Sequence, residues 1–188
     1  MKYFTIVFIF LLVLIACDGN EKFIPKPPTF LKIQLPERSY EDFKDSICDF
    51  QFEKPNYFNV KTLDDKSCNK DIEFDGLNGT LHLSYIKMDT TLDAYVNYAN
   101  DKVDEHKIKA QKIIDTNFLS PDNKVYGTFF ELQGNVATPF QFYITDSTNN
   151  FASGVVYFNA RPNYDSIKPV LDFVKKDLKL IMETFQWD

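Results

Sequence analysis

Residues 140–185 read FQFYITDSTNNFASGVVYFNARPNYDSIKPVLDFVKKDLKLIMETF, and their patterning decides the fold. Phe140, Phe142 and Ile144 alternate with Gln141, Tyr143 and Thr145, the two-residue period of a half-buried strand. Asp146 to Asn150 is turn chemistry, and Phe151 to Asn159 forms the returning strand of a hairpin. A polar link runs from Ala160 to Ser166. From Ile167 the apolar positions recur at Leu171, Val174, Leu178, Ile181 and Phe185, widened by Val170 and Met182. That spacing predicts one long amphipathic helix. Each element has one apolar face to cover, so the segment predicts a single antiparallel sheet with a helix across it.

The same patterns extend toward the N-terminus. Leu31, Ile33 and Leu35 alternate with polar residues before Pro36, which predicts a short edge strand. Cys48, Phe50 and Phe52 make a one-sided strand, Pro55-Asn56 a turn, and Phe58 to Leu63 its partner. Cys68 to Phe74 is extended again, and the glycines and Asn78 between Asp75 and Gly79 mark a turn. Leu81, Leu83 and Tyr85 then oppose Thr80, His82 and Ser84. A helix follows, capped by Thr90 with support from Asp93, its stripe being Leu92, Tyr95, Val96, Ala99 and Val103. Ile113-Ile114 and Val125 to Gln133 are further strands, with Gly127 allowing close backbone approach. The order predicts an α+β fold, an antiparallel β-sheet flanked by helices with a long amphipathic C-terminal helix. It resembles a PsbP-type α/β/α sandwich.

The 188 residues amount to one domain, and aromatics at 16% supply a β-rich core. A net charge of −6 without a basic cluster argues against a nucleic-acid surface.

Lys2 precedes an apolar run from Tyr3 to Ala16, interrupted by Thr5. The run is too short to span a bilayer and fits the core of an export signal. Its end, Leu14-Ile15-Ala16-Cys17, resembles the lipobox of bacterial lipoproteins. That resemblance implies cleavage before Cys17, a diacylglycerol on its thiol, and stable anchoring by two acyl chains. An ordinary signal peptide or an uncleaved anchor is the alternative. Residues 1–16 are therefore read as a lipoprotein signal peptide, 17–29 as a lipidated, proline-rich tether, and 30–188 as one globular domain. At ~3 Å per residue the tether reaches roughly 30 Å.

Chemistry-bearing motifs are sparse. His82 and His106 share no ligand spacing and read as exposed or locally hydrogen-bonded. No nucleophile elbow, P-loop or dinucleotide fingerprint occurs. No catalytic residue, cofactor or metal site is assigned. Cys48 and Cys68 in an exported protein read by default as a disulfide worth about 3 kcal/mol, joining neighbouring strands. Two free thiols or a metal site are the alternatives. Asp165 is placed to cap the final helix, with Pro169 in its first turn. Asp172, Asp177 and Glu183, interleaved with Lys175, Lys176 and Lys179, read as a solvated face. Arg161, in the link, pairs with a nearby acid such as Asp146 or Asp165, or contacts a partner together with Asn163 and Tyr164.

Several segments together resemble the GldD family of gliding-motility lipoproteins. They are Pro25-Lys26-Pro27 behind the lipobox, Cys48 to Phe52, Lys124 to Gly127, Gly134 to Pro139, Gln141 to Ser147, Tyr157 to Ser166, and Met182 to Trp187. The resemblance covers nearly the whole chain. It implies a lipid-anchored, periplasm-facing envelope protein needed for gliding motility and type IX protein secretion, without catalytic residues to carry over. Its partners would be the membrane and other machinery proteins, met at the sheet edge or the hairpin. The alternative is a periplasmic ligand-binding or enzymatic domain acting on a cell-wall or lipid component.

Overall fold

A computed structural model describes residues 33–63, 66–159 and 163–187. The elements are β1 (Tyr40–Lys44), β2 (Phe50–Pro55), β3 (Phe58–Thr62), β4 (Lys70–Phe74), β5 (Gly79–Lys87) and α1 (Leu92–Asp104). They continue as β6 (Ala110–Ser120), β7 (Val125–Gly134), β8 (Phe140–Thr145), β9 (Asn150–Phe158), α2 (Tyr164–Thr184) and β10 (Gln186–Trp187). The α+β class and the long C-terminal helix stand as read.

Two sheets replace the single one expected. Seven strands run in the order β3-β4-β5-β9-β8-β7-β6, and three in the order β1-β2-β10, with every pairing antiparallel. Consequently β3 is not the partner of β2. The turn at Asn56-Tyr57 carries the chain out of the small sheet and into the large one, where β3 pairs with β4. The hairpin β8–β9 lies in the middle of the large sheet, so among the described residues its edges are β3 and β6. Ile33 to Leu35 form no strand; the first among the described residues is β1, almost wholly exposed.

One core joins both sheets to α2. Phe50 and Phe52 of β2, Phe140, Phe142 and Ile144 of β8, and Val174, Leu178 and Ile181 of α2 are buried together. Phe185, just past the helix, stacks on Phe50 and Phe52 at 5.5 and 5.9 Å and delivers β10 to β2. On the opposite face of the large sheet, Val103 of α1 packs with Phe130, Leu132 and Val136. Helices thus cover both faces, as the sandwich pattern requires.

Local chemistry explains several joints. Asp146 closes the β8–β9 turn, its Oδ1 accepting from the N–H groups of Thr148, Asn149 and Asn150 at 2.8–2.9 Å. Gly127 lies against the backbone of Tyr143 on β8, and a Cβ there would collide with that residue's carbonyl oxygen. The cap of α2 is Asn163 rather than Asp165: its side chain accepts from the N–H of Ser166 at 3.4 Å, while Asp165 sits in the first turn. Pro169 lies inside the helix beyond that turn. Thr91, not Thr90, precedes α1 and makes no side-chain cap.

Candidate functional site

Cys17 and Arg161 lie outside the described residues. Asn163 and Tyr164 both have structural duties: Asn163 caps α2, and the N–H of Tyr164 donates to Asn135 Oδ1 at 3.1 Å, beside the end of β7. Cys48 and Cys68 are joined as a disulfide with a Cα–Cα distance of 5.7 Å. They do not bridge paired strands. Cys48 leads into β2 and Cys68 into β4, so the bond ties the small sheet to the large one.

A buried ion pair lies beside that bond. Lys70 Nζ sits 2.8 Å from Asp45 Oδ2, with both side chains almost fully buried. Asp45 Oδ1 accepts from the N–H groups of Ile47 and Cys48 at 2.9 and 2.7 Å. Burial alone would raise the carboxyl pKa, but the bonds from Lys70 and the two amides outweigh it and hold it below the ordinary value.

Asp177 overturns its reading as a solvated residue. It is fully buried on α2. Its Oδ2 accepts from Arg38 Nε at 3.1 Å and from the Tyr57 hydroxyl, and its Oδ1 from the Tyr40 hydroxyl at 3.1 Å. Arg38 also donates from Nη2 to the Phe173 carbonyl at 2.7 Å and lies over the Phe173 ring. A carboxylate removed from water needs such saturation. Burial first, then the hydrogen bond and charge of Asp177, push the Tyr57 phenol well above its usual range. The cluster fastens the segment before β1, the β2–β3 turn and α2 at one point. Lys175 of the same helix pairs with Glu131 of β7 at 3.1 Å, so it too bridges elements. The sequence did carry a signal: Asp177 falls three residues after Val174 and four before Ile181, on the apolar stripe.

The outward features are an edge and a face. β6 has eleven residues and, among the described residues, pairs only with β7. Ile108 just before it and Leu119 near its end are 96% and 70% exposed. Around α1, Ile86, Tyr98 and Tyr157 are also exposed. His82, beside Tyr157, pairs with Asp71 at 2.5 Å on the surface. Among the described residues, no helix is long and apolar enough to cross a membrane.

The family model described as gliding motility lipoprotein GldD matches residues 20–187. The chain belongs to that family. No curated protein matches it. Membership implies a lipid-anchored envelope protein with an accessory role in gliding motility. Within this GldD-family chain, the deeply buried charged groups Asp45, Lys70 and Asp177 are all engaged in bonds between elements.

Proposed function

We propose that this protein is an accessory component of the gliding apparatus and of type IX secretion, tethered through Cys17 on the periplasmic side of the envelope. It acts by contact with other machinery proteins, not by catalysis. The family match over residues 20–187 is the observation that carries this reading. Two structural features support contact. The edge of β6, unpaired among the described residues, offers a row of backbone donors and acceptors to a strand of another protein. Its start adjoins Gly134 and Asn135, and hence the cap of α2 at Asn163 and Tyr164, which extends the contact region to that link. The engagement of Asp45, Lys70 and Asp177 in holding elements together favours a scaffold over a reaction site.

Deletion in a gliding host, followed by complementation, tests the reading. Loss of colony spreading and of secreted protein is expected, with both restored by the wild-type chain. Thr116→Lys places a charge on the β6 edge, a device that blocks strand addition. It should accumulate normally, because an exposed change costs no more than about 0.5 kcal/mol, yet fail to restore secretion. A deletion strain normal in both spreading and secretion would contradict the proposal.

A further inference from the structure

A cavity of about 250 Å³ lies between α1 and the outer face of the large sheet. Its apolar lining comes from Ile86, Tyr98, Ala99, Val103, Phe130 and Val155. Four polar residues also line it: Ser84, Ser153, Gln141 and Lys102. Ser84 and Ser153 face each other across β5 and β9, and neither hydroxyl bonds to a described residue. Gln141 is 4% exposed, and its single side-chain hydrogen bond among the described residues is the one from Nε2 to Thr138 Oγ1 at 3.1 Å. Its Oε1, an acceptor, takes no hydrogen bond from a described residue and is open to solvent, since no fully buried side-chain polar atom among the described residues lacks a partner. Lys102 brings a positive charge to the lining; its partner Glu105, at 2.7 Å, is exposed on the same helix, and such a pair is weak enough to yield to a competing anion.

An apolar cavity with a few convergent polar groups is the usual form of a small-molecule site. We propose that this cavity binds a medium-chain carboxylic acid, its alkyl chain among the apolar residues and its carboxylate held by Lys102 and the hydroxyls of Ser84 and Ser153. The volume sets the size. At ~30 Å³ per water-sized group it takes roughly six to eight carbons, less than the 300 Å³ or so at which drug-sized sites begin. The inference does not depend on the role in motility, since binding is read on purified protein.

The test uses the full-length chain in lipid nanodiscs, labelled with a diazirine-bearing octanoate and mapped by mass spectrometry. Labelling should concentrate on peptides from α1, β8 and β9 and be competed by octanoate. Ala99→Phe, which fills the cavity, should cut competed labelling at least fivefold; Ser153→Val, a milder change, should cut it about threefold if the larger one unfolds the protein. Lys102→Gln should weaken competition by octanoate about tenfold while leaving octanol, which lacks the carboxylate, unchanged. Labelling spread over the whole chain, or competed equally in wild type and in folded cavity variants, would overturn the site. Unchanged octanoate competition in Lys102→Gln would overturn the carboxylate assignment.

Discussion

Asp177 concentrates the energetics of the domain on one carboxylate. Removing it strands the Arg38 guanidinium and two phenols, and loss of one partner from a buried charged cluster costs about 3 kcal/mol. Asp177→Ala should lower stability by that amount in urea unfolding. Tyr57→Phe should cost about 2 kcal/mol alone, and less than half as much in the Asp177→Ala background, because the two groups share one interaction. Additive costs would show that the cluster does not act as a unit. Two carboxylates, Asp146 and Asp45, carry an acid-sensitive share of the stability. At Asp146 burial works to raise the pKa, but three amides and the Asn150 side chain outweigh it and hold the group below its ordinary value, as at Asp45. A depressed native pKa means that the unfolded chain binds more protons, so this stability is full above the unfolded value near 4 and falls as pH drops through the native pKa. The stability gap between wild type and Asp146→Asn should therefore narrow between about pH 6 and pH 3. An unchanged gap would reject the assignment.

At the scale of elements, one-sided burial decides what the sequence reveals. The β8–β9 hairpin, β5 and α2 each bury one face, and their periods announced them. β1 reads Tyr-Glu-Asp-Phe-Lys and is exposed along nearly its whole length, so it has no alternation to find. The assignment of β3 to β2 failed for another reason. A short turn looks alike whether it closes a hairpin or passes the chain between sheets, and only pairings distant in sequence distinguish the two. Asp177 was legible in spacing but not in residue type, because burial of a carboxylate depends on Arg38, Tyr40 and Tyr57, contributed from the other end of the chain. The disulfide belongs to this scale too, since it fastens the small sheet to the large one. Replacing both Cys48 and Cys68 with Ser should cost about 3 kcal/mol, visible as an earlier unfolding midpoint under oxidising conditions that reduced wild type reproduces. Equal midpoints for oxidised wild type and the double variant would contradict it.

At the scale of the whole molecule, the two exposed edges of the large sheet differ. β3 has five residues, whereas β6 has eleven and is flanked by exposed apolar side chains. Edge strands are ordinarily kept short or blocked, because an open one recruits other strands. A long open edge on a chain of the GldD family is the surface we assign to its partners. The interior of the domain is spent on cohesion, through the shared aromatic core, the disulfide and the Asp45 and Asp177 clusters. In-cell photocrosslinking from Asp115 and Asn117 on β6, with Asn59 on β3 as control, tests the contact claim most directly. The account predicts adducts with other gliding or secretion proteins from the β6 positions and none above background from Asn59; equal or absent adducts at the two edges would contradict it.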